Sequence, residues 1–530
     1  MKNSSVTGAA FLLAVASLGS RATAILRDRL FAHLFGAGDT LDAYYAAFRL
    51  PDTIYTLIVV GALSAGFIPI FIAASKKDEA TAWRLTNNVI TTLTIIMLVI
   101  VAGIFLTANW LVPHIVPGFS AEKLTLTIRL TRLMLLSPIL LGLSAVVSSV
   151  LQSKKRLLAY ALAPIFYNFG IIIGAAIFYP IFGINGLAFG VVLGASAHLL
   201  TQLPALSKIG WRFRPVFDLK DNLLKRVGQL MIPRTLGLAT HQINWFFMTM
   251  FASTVGSGSL TIFILAENIQ SAPAAIIGIS FAVAAFPILS AAALETNRDH
   301  LRQEITVITR QIIFLILPLS ILIILLHSQI VRVLLGTGRF DWNNTIATSN
   351  ALVFFSFSLF AQCLTPLLTR AFYALEDSKT PFIIGTIGVL INIILGYKLK
   401  NTYGISGLAL AYSLSYIIQV ALLFVTLRHK ISGFAEHSFL LHLAKLSLSG
   451  MLMGIVVQYL KTPLAQIVDM TRFWGIATQG IVAGAVGLFI YGVVCACLRV
   501  EELDWLKSAF SRRFLKLDNN QISLNERIND

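Results

Sequence analysis

Residues 87–113 read NNVITTLTIIMLVIVAGIFLTANWLVP, and this stretch decides the fold. It contains no Asp, Glu, Lys or Arg. A helix crossing the hydrocarbon core of a bilayer takes about 20 apolar residues, and this one is long enough. Backbone groups find no water at that depth, so the segment must satisfy its own hydrogen bonds as a helix. The run is continuous where a membrane β-barrel strand would alternate, which excludes a barrel. Comparable runs recur outward in both directions. We read fourteen segments, at 6–33, 42–74, 87–113, 126–152, 158–180, 183–205, 224–253, 258–291, 305–335, 345–375, 380–399, 404–427, 437–460 and 473–498. Of the 530 residues, 57% are hydrophobic and 12% charged, with mean hydropathy +0.80, outside the range of soluble domains. A single large soluble core would need polar outer faces on its helices, and these are missing. The expected fold class is an all-α integral membrane protein with about fourteen transmembrane helices.

The net charge of +17 is mostly a matter of topology. One set of loops carries Lys76, Lys77 and Arg84, then Lys154, Lys155 and Arg156, then Lys208, Arg212, Arg214 and Lys220. Arg298, Arg302, Lys379, Arg428, Lys430 and the tail with Lys507, Arg512, Arg513 and Lys516 fall on the same side. The opposite loops are nearly free of Lys and Arg, with Lys123, Arg339, Lys398, Lys400, Lys461 and Arg472 as exceptions. Cytoplasmic loops hold the basic excess, so both termini are expected in the cytoplasm, and nucleic acid is not an expected partner. The first apolar segment runs on through Arg21, Arg27 and Asp28, which reads as a retained helix and not a cleaved signal. Cys363, Cys495 and Cys497 lie in or beside apolar segments and read as small packing residues.

The chain also repeats itself. Gly183-Ile184-Asn185-Gly186-Leu187-Ala188 returns as Gly404-Ile405-Ser406-Gly407-Leu408-Ala409, an offset of 221. Asn168 returns as Asn392 at 224, and Pro69 as Pro287 at 218. Six helices per repeat keep both copies in one orientation, so a parallel 6+6 duplication is expected, with the last two helices outside it. That architecture belongs to transporters more than to membrane enzymes.

Ionisable residues inside apolar segments are the candidate site. On the first segment Ser20 and Arg27 share one helical stripe, and Arg21 and Asp28 the adjacent one, at about 100° per residue. On the second, Asp42 and Arg49 share a face, with Asp52 one turn beyond. Such groups are costly in lipid and mark substrate paths. Asp28, Asp42 and Arg29 are equally readable as structural pairing or snorkelling. Arg21, Arg27 and Arg49 are expected to converge on one cavity, where guanidinium forks suit a pyrophosphate. The seventh segment adds Arg234, His241, Gln242 and Asn244, and the eighth adds Glu267, Asn268 and Gln270. His241 has no His or Cys neighbour and reads as an interior histidine; Arg234 follows Pro233, so snorkelling competes with binding there.

Ser20-Arg21, Arg27-Asp28, Phe35-Gly36-Ala37-Gly38, Asp42-Ala43-Tyr44, Phe48-Arg49-Leu50-Pro51 and Gly61-Ala62-Leu63-Ser64-Ala65-Gly66-Phe67-Ile68-Pro69 together resemble the opening of the lipid II flippase family (MurJ, formerly MviN). Pro117-Gly118-Phe119, Gly338-Arg339-Phe340 and Arg370-Ala371-Phe372-Tyr373-Ala374 through Lys379-Thr380-Pro381 extend the likeness, which spans about residues 5–430. The resemblance implies a fold of the multidrug/oligosaccharidyl-lipid/polysaccharide exporter superfamily. Its lobes would be an N-lobe at 1–222 and a C-lobe at 223–430, followed by two helices at 431–499 forming a lipid-tail groove and a cytoplasmic tail at 500–530. It implies flipping of undecaprenyl-pyrophosphate-linked disaccharide pentapeptide across the bacterial inner membrane for peptidoglycan synthesis. By the same likeness Ser20, Arg21, Arg27, Asp42 and Arg49 serve substrate binding or gating. Arg234 is an added substrate-binding candidate, and Asp28, Asp52, Glu267 and Asn268 are candidates for gating or structural pairing.

Departures from the family pattern matter. Where the eighth segment often carries Arg beside an acid, this chain has Glu267-Asn268, and Arg234 could restore the lost charge. The second segment reads Tyr55-Thr56 and Val60 where many members place Arg and Glu. Gly228–Phe251 and Pro381–Lys400 hold no acid, so sodium coupling is not expected; no cofactor or metal is expected either. The expected partners are lipid II and membrane lipids, with the peptidoglycan synthesis machinery as a further option, and the expected state is a monomer.

Rival readings are an exporter of the same fold for another polyprenyl-linked oligosaccharide or a cationic drug, a membrane enzyme acting on polyprenyl substrates, and a structural scaffold. A drug exporter would want cavity acids. An enzyme would want paired carboxylates or a His/Asp set at the bilayer edge. Asp78-Glu79 and Glu376-Asp377 sit in short charged turns and read as solvated faces.

Overall fold

A computed structural model describes residues 3–60, 66–295, 297–431, 433 and 436–514. Among the described residues, helix lies over each of the fourteen expected segments, and a further helix, Glu501–Phe514, follows them. Nine helices among the described residues are long and apolar enough to cross a membrane, or ten if the pair Trp342–Ser356 and Leu359–Ala374, bent by 42°, counts as one span. Length and composition therefore support fewer spans than fourteen, for identifiable reasons. Asn3–Phe35 carries Arg21, Arg27, Asp28 and Arg29 and so is not uniformly apolar. The second segment is broken into Asp39–Ala47, Arg49–Ile54, a π-helical stretch at Tyr55–Val60, and Ile68–Lys77. Segments eleven and twelve run together as Lys379–Lys430, divided at Gly404, whose φ of +56° and ψ of −133° glycine adopts readily and L side chains rarely. The outer surface is apolar, as lipid requires: Leu106 is 77% and Trp474 75% exposed.

The chain groups into two compact units. Unit 1 comprises 1–265, 334–351 and 389–411; unit 2 comprises 266–333, 352–388 and 412–530. In unit 1, Val59, Phe67, Phe71, Leu85, Met97, Val146 and Leu151 form part of one buried apolar cluster. The fifth and sixth segments pack through glycines. A Cβ added at Gly170 would lie 2.2 Å from the Gly194 Cα, so backbone meets backbone there. Small residues permit that approach where no hydrophobic effect drives helices together in lipid.

The duplication has structural counterparts. Both copies of the Gly-Ile-x-Gly-Leu-Ala motif open on a glycine with positive φ, +60° at Gly183 and +56° at Gly404. The π-helical stretch Tyr55–Val60 in the second segment is matched by Ala274–Ile279 in the eighth, an offset of 219. Such turns weaken the regular hydrogen-bond ladder. Thr235 Oγ1 accordingly donates to the Leu57 carbonyl at 3.1 Å.

The charged turns do more than face water. Asp78 accepts from the Ala80 and Thr81 N–H groups, capping the helix Glu79–Ile115. Asp377 accepts from Thr380 N–H at 3.0 Å and pairs with Lys430 Nζ at 2.6 Å. Asp78 is an N-cap, and Asp377, one residue before the N-cap Ser378, likewise accepts from a first-turn N–H that the helix itself leaves open.

Candidate functional site

The site candidates in unit 1 sit on the first and second segments, backed by the fifth and seventh. Arg27 projects from the continuous helix Asn3–Phe35 with its side chain 21% exposed. Its Nε and Nη2 donate to Asp28 Oδ1 at 2.9 and 2.8 Å, and its Nη1 donates to Asn168 Oδ1 at 3.1 Å. Asn168 is held in turn by donating to the Ser20 carbonyl at 3.3 Å and the Pro164 carbonyl at 3.2 Å. The whole planar fork is thus oriented by a carboxylate and an amide. Tyr44 and Tyr45 lie within electrostatic reach of Arg27, and the buried Tyr45 hydroxyl has no hydrogen-bond partner among the described residues. The backbone of Ser20 therefore takes part in the site through its carbonyl. Arg21 is half-buried and makes no side-chain hydrogen bond or ion pair among the described residues.

Arg49 opens the short helix Arg49–Ile54, and its guanidinium lies 4.9 Å from the Trp245 ring centroid, a cation–π contact to the seventh segment. His241 meets Trp245 edge-to-face at 6.3 Å and has both Arg49 and Asp52 within electrostatic reach. Asp52 is exposed, and Tyr167 lies within reach of both Asp52 and Arg27. Groups around Arg27 and Arg49 are thus brought near one another through Tyr167 and Asp52. Arg234 sits on the same helix, Asn222–Ser253, with its side chain outside the described residues, as are residues 61–65 of the quoted motif.

Asp42 has a different setting. It is fully buried, and its carboxylate accepts from Gly258 N–H (2.8 Å), Thr261 N–H (2.8 Å), Thr261 Oγ1 (2.7 Å) and Lys123 Nζ (2.7 Å). Asp42 thus caps the helix that starts at Ser259 from 216 residues away. Lys123 also reaches Asp39 at 2.7 Å, and Ser257 donates to that carboxylate at 2.8 Å. Nearby, Arg339 N–H donates to the His33 carbonyl at 3.0 Å, and His33 Nδ1 lies 3.0 Å from Thr337 Oγ1. The ends of the first two segments are therefore tied to two distant loops.

In unit 2, Glu267 lies within electrostatic reach of Tyr412 and Tyr416. One turn from it, Gln270 and Gln362 exchange reciprocal hydrogen bonds of 3.3 and 3.0 Å. Asn268 is half-buried and its carbonyl accepts from Ser271 Oγ at 3.2 Å.

Sequence reasoning missed Lys123 and Trp245. Lys123 did leave a signal, as a cation on the side of the chain that is poor in them; burial against two aspartates is the reason it is tolerated there. Asn168 and Asn392, marked only as repeat landmarks, prove to be equivalent anchors. Asn168 faces Arg27, and Asn392 donates to Asn244 Oδ1 at 2.7 Å, so one copy of the same contact is cationic and the other neutral.

The fold is that of a transporter class. A solved structure described as an inward-facing multidrug resistance MATE family transporter of the MOP superfamily superposes with a TM-score of 0.67 at 18% identity, covering 78% of this chain and 94% of that one. Within this class, a family model described as "Lipid II flippase MurJ" matches residues 31–477, and the chain belongs to that family. A probable lipid II flippase MurJ of Rhizobium tropici is 32% identical over 462 residues, covering 84% of this chain and 85% of the relative. One of Thermotoga maritima is 30% identical over 490 residues, covering 92% and 95%. A solved structure titled "Lipid II flippase MurJ, inward closed conformation" has a TM-score of 0.76 at 25% identity, covering 92% of this chain and 99% of the other.

Proposed function

We propose that this chain is a lipid II flippase, a transporter that carries the undecaprenyl-pyrophosphate-linked peptidoglycan precursor from the inner to the outer leaflet of the bacterial cytoplasmic membrane by alternating access. Membership of the MurJ family over residues 31–477 carries the reading. The intramembrane arginines supply its chemistry. Arg27 offers a fixed planar fork, engaged by Asp28 and Asn168. A pyrophosphate oxygen has the charge and geometry of the Asp28 oxygen it would replace, so cargo binding is an exchange of anions and not the creation of an isolated buried charge. Arg49, held against Trp245, is a second cation suited to the same headgroup. The Asp42–Lys123 network, which ties the second segment to the start of the eighth, is suited to a gate: its hydrogen bonds must break for those ends to part. Both termini lie in the cytoplasm on this reading, and transport proceeds without sodium.

The test is a flipping assay in vesicles holding the purified chain, with lipid II and two other polyprenyl-linked oligosaccharides, in potassium buffer and then with sodium. Flipping of lipid II in preference to the others, in both buffers, is expected. Equal flipping of all three would favour a broader exporter of the same fold. Activity restored only by sodium would overturn the coupling assignment.

A further inference from the structure

Lys155 and Arg156 form the turn between the fourth and fifth segments, and Lys208 follows the sixth. Lys155 holds a φ of +60°, an uncommon conformation for a side chain with a Cβ. The turn delivers the chain into the helix Leu157–Ile173, whose N-terminus has no side-chain cap. Its first N–H groups have no intrahelical partner and carry the positive end of the helix dipole. That N-terminus and the three cations surround a cavity of about 640 Å³, completed by Leu12, Pro204 and Ala205 among others. Among the described residues, no Asp or Glu lines it. Neighbouring Lys154 is already engaged by Glu79 and Ser75. Among the described residues, by contrast, the side chains of Lys155, Arg156 and Lys208 enter no ion pair or hydrogen bond.

The lining has two characters. Cations and apolar side chains both line it, with Leu158 56% exposed and Leu12 belonging to the first membrane segment. The ends of the fourth and sixth segments and the start of the fifth meet here, where a membrane helix gives way to a basic turn. A freely soluble anion would have no use for the apolar side chains; a phosphate attached to acyl chains uses both. Basic pockets between membrane helices on the cytoplasmic side suit anionic lipid headgroups. Leu12 precedes Arg27 by fifteen residues, about 22 Å along a helix axis, so this cavity is separate from the arginine site.

We propose that this cavity binds the phosphate headgroup of an anionic glycerophospholipid, with Lys155, Arg156, Lys208 and the uncapped helix N-terminus around the phosphate and an acyl chain along Leu12 and Leu158. The experiment uses the full chain and its triple variant K155Q/R156Q/K208Q, with K76Q/K77Q as a control that removes basic charge outside the cavity. Binding of phosphatidylglycerol and of phosphatidylcholine is measured by native mass spectrometry from mixed micelles, with thermal melting in phosphatidylcholine alone to confirm that each variant folds. The unaltered chain and K76Q/K77Q should retain phosphatidylglycerol at least about tenfold more strongly than the triple variant, as three lost headgroup cations require, with phosphatidylcholine retention alike in all. Equal phosphatidylglycerol retention by the triple variant would overturn the proposal. So would full displacement by millimolar inorganic phosphate, which would make the site one for a soluble anion. Loss of lipid II binding in the triple variant with phosphatidylglycerol retention unchanged would assign the cavity to the cargo and overturn it too. If the triple variant fails to fold, the single variants R156Q and K208Q carry the same comparison.

Discussion

Replacing Asp42 by Ala removes the acceptor of four hydrogen bonds and strands Lys123, which is 7% exposed, with only the more exposed Asp39 as counter-ion. Breaking a buried ion pair from one side costs about 3–5 kcal/mol, and the lost cap on the helix starting at Ser259 adds roughly 1 kcal/mol. Asp42→Ala should therefore lower stability by about 4–6 kcal/mol, a severe loss for a membrane protein held in detergent. Lys123→Met alone leaves Asp42 with three donors and should cost less. In the double variant no buried charge is stranded, so its loss should fall short of the sum of the singles by about 1–3 kcal/mol. The measurement is unfolding of the purified chain in one detergent, followed by the accessibility of the buried Cys363 and Cys495 to a thiol reagent. A loss below about 1 kcal/mol for Asp42→Ala, or strict additivity in the double variant, would refute the argument that burial makes this pair matter.

Arg27→Ala should abolish growth support in a flippase-depleted bacterium, and Arg27→Lys should restore it poorly, since Lys keeps charge but not the fork geometry. If Arg27→Ala fails only because Asp28 is stranded, Arg27→Ala with Asp28→Asn should recover both protein level and growth; recovery of level without growth assigns Arg27 to the cargo. Trp245→Leu should weaken transport while Trp245→Phe largely keeps it, because the cation–π contact to Arg49 needs an aromatic face; equal loss in both variants would place Trp245 in packing alone. Burial raises the Asp377 carboxyl, but the hydrogen bonds from Lys430 and Thr380 outweigh it and hold the group well below the usual carboxylate range. Its stabilising contribution is thus complete above the unfolded value of about 4 and fades as pH falls below it. Asp377→Asn should flatten the acid limb of a stability–pH curve, and an unchanged limb would show the pair contributes nothing.

The apolar segments were legible because each is a long local run, and among the described residues helix lies over every one of them. What a single run cannot encode is a partner far along the chain. Lys123 and Asp42 are 81 residues apart; Asp42 stood out as an acid in an apolar segment and Lys123 as a cation on the basic-poor side, but nothing local joined the two. Asp377 looked solvated because its cap geometry and its pairing with Lys430 exist only once the loop is folded. Arg27 and Asp28 were visible as charges in an apolar helix, and their rough positions on its faces followed from helical spacing. Their direct pairing was less evident, since neighbours in sequence point in directions about 100° apart and meet only when long side chains bend toward each other. Arg49 followed the same logic, but no pattern announced that Trp245 would lie against it.

The π-helical stretches at Tyr55–Val60 and Ala274–Ile279 give the second and eighth segments a mechanical property that straight helices lack. A π turn holds a surplus residue relative to an α turn. That surplus can travel along a helix like a ruck in a carpet, one hydrogen bond shifting at a time, while both ends stay anchored. Each side chain it passes swings round the axis by about 100°. Polar groups such as those of Asp52 and Asn268, which lie just before the two stretches, could then be re-aimed without melting either helix. Two rucks at equivalent places in a duplicated chain form a matched set of swivels.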